Sequence, residues 1–345
     1  MHVWFKKNFR TITKTTLILV YMVIVAGALV RMTGSGMGCP DWPKCFGYYI
    51  PPTEESQLLW HPQKTFKKGQ VIIHEEALMV AKTDFTTSNA YNTDNWAAYT
   101  KHDYAIFNPK HTWIEYINRL VGALAGMATF FMAIASFTYR KEKRAVVLLS
   151  WLAVFGMGFQ AWLGATVVYS VLAPVKITVH MVMALVIVAL ILYILHLTRT
   201  RKASFKADRL FTNLIRLTLI LTLVQVVLGT QVRQFVDEQV KVVGDTAKAL
   251  WLYNPGLDFY LHRSFSILVL AVNLFIYILN RNRQLHFTRV NWVILLIGLE
   301  IVSGIAMAYL DFPFGTQALH LVLASVLFGV QYYLLLDTRH AAKTL

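Results

Sequence analysis

Three histidines, His180, His262 and His320, each stand a few residues inside a long apolar run. An imidazole there can pack through a hydrogen bond, relay a proton or ligate a metal, and an ionisable group in an apolar span is by default a candidate for function. The surroundings repeat. Gln160-Ala161-Trp162-Leu163-Gly164 stands as far before His180 as Glu300-Ile301-Val302-Ser303-Gly304 stands before His320. Gly27-Ala28-Leu29-Val30-Arg31 answers Gly229-Thr230-Gln231-Val232-Arg233, and an acid shortly followed by Asn118-Arg119 (Glu115) answers an acid shortly followed by His262-Arg263 (Asp258).

Two facing helices that offer imidazoles at one depth can hold an iron from both sides, and His262 with His320 is such a pair. Each half has at most two histidines, no cysteine at that depth and one flanking acid. That falls short of a tetrahedral zinc set, whereas a porphyrin brings four nitrogens and asks for two axial ligands. The competing reading, a packing histidine, suits any one of the three better than it suits a repeated arrangement. Arg119 and Arg263 either pair with carboxylates of such a group or reach lipid headgroups. Glu115 near an apolar boundary suits proton transfer, or else caps its helix through the dipole.

The elements that position these residues follow from composition. The chain has 345 residues, 56% hydrophobic and 15% charged, with a mean hydropathy of +0.49, values that exclude a soluble or disordered chain. Eight segments reach the length and apolarity of a membrane span: about 16–32, 113–137, 146–170, 177–197, 211–232, 258–279, 291–310 and 316–336. The net charge of +15 is assigned to cytoplasmic loops rather than to nucleic acid. Basic residues gather before the first span (Lys6, Lys7, Arg10, Lys14) and in the second, fourth and sixth connections (Arg140 to Arg144, Arg199 to Arg209, Arg281 to Arg289). Both termini are therefore expected in the cytoplasm and the long first loop outside, with no cleavable signal. The fold expected is all-α and integral to the membrane: two tandem four-helix bundles of parallel topology, about 1–200 with an enlarged loop at about 33–112, and about 201–345. On this topology the three histidines lie roughly 5 to 9 Å below the outer boundary.

With Cys39-Pro40-Asp41-Trp42-Pro43-Lys44-Cys45 following Arg31-Met32-Thr33-Gly34-Ser35-Gly36, these features together resemble the haem A synthase family, enzymes that complete haem A for cytochrome oxidase. The likeness covers nearly all the chain except about residues 52–110. It implies an oxidoreductase of a bacterial plasma membrane that oxidises the C8 methyl of haem O to a formyl group in the N-terminal half. It places a haem b relay on His262 and His320, Glu115 in catalysis, His180, Asn118 and Arg119 beside the substrate haem, and a disulfide between Cys39 and Cys45. The family also suggests oxygen drawn from water and a partnership with the farnesyltransferase that makes haem O, while an electron acceptor such as quinone and a homo-oligomer stay open.

The chain departs from the family at Asn118, where a histidine is expected; an amide is a poor iron ligand. Three readings stay open, in this order: a five-coordinate substrate haem on His180 beside Glu115; a loop histidine, His102 or His111 ahead of His61 or His74, as the missing ligand; or lost catalysis. The last would leave a non-enzymatic b-type cytochrome working with quinone. A transporter ranks below both, since mid-span proline breaks none of the helices. The loop 52–110 is long enough to form a small cap, and the role of Glu300 is open.

Overall fold

In the computed structural model, residues 2–199, 205, 206 and 208–341 are described; Arg201 and Lys202, which contribute to the charge asymmetry above, lie outside the described residues. The described chain folds into eight long helices: α1 (His2–Met32), α2 (Pro109–Ser136), α3 (Arg144–Tyr169), α4 (Pro174–Leu197), α5 (Arg209–Val243), α6 (Leu257–Asn282), α7 (Arg289–Tyr309) and α8 (Thr316–Ala341). All eight are long and apolar enough to cross a membrane. Their boundaries are written locally. Pro109 occupies the first turn of α2 while the Asn108 side chain accepts from the N–H groups of Lys110 and His111, and Asp208 accepts from Phe211 N–H to start α5. Gly244, at φ 89°, ends α5.

Two helices outrun their apolar segments. α1 begins at His2 and α5 continues to Val243, because polar residues such as Lys6 and Lys7 in α1 and Gln234, Glu238 and Lys241 in α5 are good helix formers that do not add to the hydropathy. Gln234 and Glu238, one turn apart, are hydrogen bonded there.

α1 packs on α2, α2 on α3, α3 on α4, and α4 returns to α1; α5 to α8 repeat this circuit, and α8 meets both α1 and α4. The first circuit closes on Phe9, Ala125, Met132, Ala153, Ile187 and Ile191, the second on Phe211, Ile215, Ile276, Val290 and Leu334. Outward faces carry exposed Leu148, Phe155, Trp162, Phe275 and Val302, an apolar surface suited to lipid rather than water. Asp337, fully buried on α8, is held by Arg199 at 2.8 Å and by Arg289.

Residues 33–108 form a cap at the end where α1 stops and α2 begins. Strands β1 (Thr65–Phe66), β2 (Val71–His74), β3 (Ala77–Ala81), β4 (Phe85–Thr86) and β5 (Trp96–Ala98) make two antiparallel sheets, β1-β4 and β2-β3-β5. β2 and β3 pair His74 with Ala77 across Glu75 and Glu76, both at positive φ, the two-residue hairpin geometry usually marked by Asn-Gly.

Candidate functional site

In the second circuit the Gly-x-x-Val-Arg end of α5, the start of α6, the end of α7 and the start of α8 enclose a cavity of about 470 Å³, with Ala28 and Arg31 of α1 and Met181 of α4 on its wall. His262 and His320 both line it, with ring centroids 6.3 Å apart. Two imidazoles on opposite faces of one metal, each nitrogen about 2 Å from it, would have centres roughly 6 Å apart. His320 is oriented from behind: its Nδ1 lies 2.8 Å from Glu300 Oε2 and 2.9 Å from Ser303 Oγ. An Nδ1–H donated to Glu300 leaves Nε2 as a free lone pair, the tautomer a metal-bound imidazole needs. Glu300, whose role the sequence left open, thus stands where it can accept an Nδ1–H from His320.

His262 is fixed through its backbone, whose carbonyl accepts from Gln225 Nε2 at 3.0 Å; its Nδ1 is buried without a hydrogen-bond partner. Among the described residues no three of His, Cys, Asp and Glu converge as a metal-ion set, so this pair suits a metal that brings its remaining donors with it. The donor set, the spacing and the apolar cavity all fit a haem. Arg263 lines the same cavity, with its guanidinium over the rings of Tyr260 at 5.2 Å and Phe259 at 5.8 Å.

Each ring abuts a glycine of the preceding helix, and each of these glycines belongs to a repeated motif. A Cβ on Gly229 would sit 3.2 Å from His262 Cε1, one on Gly164 3.4 Å from His180 Cε1, and one on Gly304 3.7 Å from His320 Cε1. Asn118 takes the fourth such place, its Oδ1 4.0 Å from a Cβ on Gly27. Asn118 Oδ1 and His180 Nδ1 are buried without partners. Gln160 Nε2 donates to the His180 carbonyl at 2.9 Å, as Gln225 does for His262.

Glu115 is buried on the first turns of α2, 4% exposed. Its Oε2 accepts from Cys39 N–H at 2.9 Å, and its Oε1 pairs with Arg119 at 2.5 Å. Arg119 in turn donates to the carbonyls of Asp41 at 2.7 Å, Lys44 at 2.8 Å and Cys39 at 3.3 Å. The guanidinium therefore grips the loop closed by the Cys39–Cys45 disulfide. Gly38 allows this approach, since a Cβ there would collide with the backbone of His111.

Three of the loop histidines have their contacts inside the cap, while His111, expected in the loop, lies in the first turn of α2. His102 Nε2 lies 3.0 Å from Pro40 O, His61 Nε2 lies 3.1 Å from Ser56 O, and His74 stacks on Tyr91 at 4.0 Å. The backbone of His111 packs against Gly38.

Sequence reasoning gave no role to Arg31, Arg233, Gln225 or Gln317, all on the cavity wall. The repeated Gly-x-x-Val-Arg motif was the signal that marked the two arginines.

Fold and site define a multi-pass membrane protein with a deep, apolar, imidazole-lined cavity between its helices. The chain belongs to the COX15-CtaA family, cytochrome oxidase assembly protein, whose model matches residues 10–87 and 69–332, and with it to the oxidoreductases of haem A biosynthesis in bacterial membranes. Proteins named haem A synthase are similar over most of both chains. That of Wolbachia pipientis from Culex pipiens is 24% identical over 92% of this chain and 94% of its own. That of Alkalihalophilus pseudofirmus is 23% identical over 95% and 96%. The Shewanella oneidensis protein of the same name is 26% identical over 63% of this chain and 54% of its own.

Proposed function

We propose that the chain is a haem A synthase that oxidises the C8 methyl of haem O to a formyl group in its N-terminal half, residues 1–200. His262 and His320 in residues 201–345 would hold a haem b, and their part is to bind and orient it. The observation that carries this reading is the pair of imidazoles 6.3 Å apart across one apolar cavity, with Glu300 on the far nitrogen of His320. Bound haem supplies one-electron redox chemistry there. Converting methyl to formyl with oxygen from water releases electrons and protons in equal number, and the electrons need an acceptor such as a quinone.

The chain's own part falls to Glu115, His180 and Asn118. Glu115 holds or takes protons at Oε1 and Oε2, kept in place by Arg119 and Cys39 N–H. His180 is the single imidazole of its half that abuts a motif glycine. His61, His74 and His102 contact residues of the cap, which favours the reading in which Asn118 would leave one face of the substrate haem open beside Glu115. The orientation proposed places the cap and its disulfide on the oxidising side of a bacterial membrane, both termini in the cytoplasm.

Membranes containing the protein and supplied with haem O are expected to accumulate the hydroxymethyl and formyl products, and Glu115→Gln to stop this while haem b stays bound. Retention of haem b with no conversion of haem O in the unaltered protein would overturn the enzymatic reading in favour of a b-type electron carrier. A low-spin spectrum that survives His262→Ala or His320→Ala would overturn the ligand assignment.

A further inference from the structure

Arg31 ends the repeated motif of α1 and Arg233 its counterpart in α5, and the two meet although they belong to different circuits: Arg233 Nη2 donates to the Arg31 carbonyl at 3.0 Å. Both guanidiniums lean on one carboxylate, Asp237, at 3.2 Å from Arg31 and 2.7 Å from Arg233. Arg233 also donates to Gln317 Oε1. Arg31, Arg233 and Gln317 line the cavity that holds His262 and His320, with the two arginine side chains only 18% and 19% exposed. The Nε–H of each is buried without an acceptor. Two cations with one counter-charge on a largely apolar wall are costly unless an anion completes the set. Each arginine is one turn beyond a motif glycine, about 6 Å toward the capped end, and Gly229 is the one against the His262 ring.

We propose that Arg31 and Arg233 form a clamp for the carboxylate side chains of the haem held by His262 and His320. Because Arg31 comes from α1, the first four helices complete the cofactor site of the last four. The inference rests on the haem reading above and deepens it. Asp237 presets the guanidiniums, Gln317 fixes Arg233, and a guanidinium carries paired N–H groups in the fork geometry that carboxylates accept.

The test uses the full chain in detergent, stripped of pigment and titrated with haem b and with haem b dimethyl ester, whose carboxylates are blocked, following the Soret band. The unaltered protein is expected to prefer the free acid by about tenfold or more. Arg31→Gln and Arg233→Gln should each bring that preference toward one while leaving ester affinity as it was, which also shows that the pocket has kept its fold. If a Gln variant fails to fold, Arg31→Lys and Arg233→Lys, which keep the charge and lose the fork, should give intermediate ratios. Equal uptake of acid and ester by the unaltered protein, or an unchanged ratio in the variants that fold, overturns the clamp while the haem reading stands. Uptake of neither pigment overturns both.

Discussion

Replacing Arg119 with Gln should free the disulfide loop from the helix that carries Glu115. The guanidinium makes two short hydrogen bonds to loop carbonyls, Asp41 at 2.7 Å and Lys44 at 2.8 Å, and a longer one to Cys39 at 3.3 Å. It is also the charged partner of a carboxylate whose side chain is 5% exposed. Hydrogen bonds to a charged group contribute about 1.5–3 kcal/mol each, and stranding one member of a buried ion pair costs about 3–5 kcal/mol. These contributions overlap, so about 3–5 kcal/mol is expected for the whole change. Where thiol attack on Cys39–Cys45 requires the loop to open, even 3 kcal/mol raises the reduction rate about a hundredfold. Trapping of freed cysteines under a mild external thiol measures that rate, with thermal unfolding in detergent as the second readout. Adding Glu115→Gln to Arg119→Gln removes the stranded charge, so the double variant should be more stable than Arg119→Gln alone, the coupling a mutant cycle detects. An unchanged reduction rate in Arg119→Gln, or a double variant no better than the single, refutes the strap.

Gly229→Ala puts a Cβ 3.2 Å from His262 Cε1, whereas Gly304→Ala puts one 3.7 Å from His320 Cε1. The first should disturb the low-spin haem spectrum and cost about 1–3 kcal/mol through overpacking, the second should leave the spectrum intact, and equal effects would contradict the geometry. Burial pushes the Asp41 carboxyl above its ordinary value of 3.8, against the opposing pull of Gly47 N–H and Arg119. The folded loop therefore holds that proton more tightly than the unfolded chain does. The contribution is fully present below the ordinary value and is lost as pH rises through the folded one. Asp41→Asn should flatten the decline in loop stability above about pH 4, read by disulfide reduction across pH, and an unaltered slope counts against it. Asp337→Asn leaves Arg199 and Arg289 without the buried carboxylate they share. A loss of about 3–5 kcal/mol is expected in detergent melting, and a melting curve like that of the unaltered protein would show the pair to be dispensable.

All eight spans were legible because apolar length is a local property. Where the helices outrun the apolar segments, at His2 to Thr15 and Gln234 to Val243, hydropathy is the wrong observable, since a few buried residues such as Phe9, Thr13 and Val236 anchor a helix whose other faces are polar. The cap shows the same limit from the other side. Its apolar runs Val71-Ile72-Ile73 and Ala77-Leu78-Met79-Val80 are visible in sequence, but the hairpin between them turns on Glu75-Glu76, a pair without the Gly or Asn that announces such a turn. Tertiary pairing of β2 with β3, and of β3 with β5, holds that backbone in place.

The site divides in the same way. Depth along a helix is readable from residue number, so the three histidines could be expected at one level before any coordinates, whereas the glycines they abut could be noted only as repeats. Partners from distant segments could not be placed so. Arg119 is followed by nothing that points to Asp41 or Lys44, and Arg31 meets Arg233 across some two hundred residues. What sequence does hold is the repetition itself. A motif that recurs as Gly-x-x-Val-Arg sets a glycine against a polar side chain of the next helix, Gly27 against Asn118 and Gly229 against His262, and an arginine one turn beyond. The copies keep the glycine and the arginine while the side chain set against the glycine changes from Asn to His. The glycine-and-arginine cradle and the side chain it supports are therefore separable features of the fold, and one scaffold used twice presents an amide in one half and an imidazole in the other.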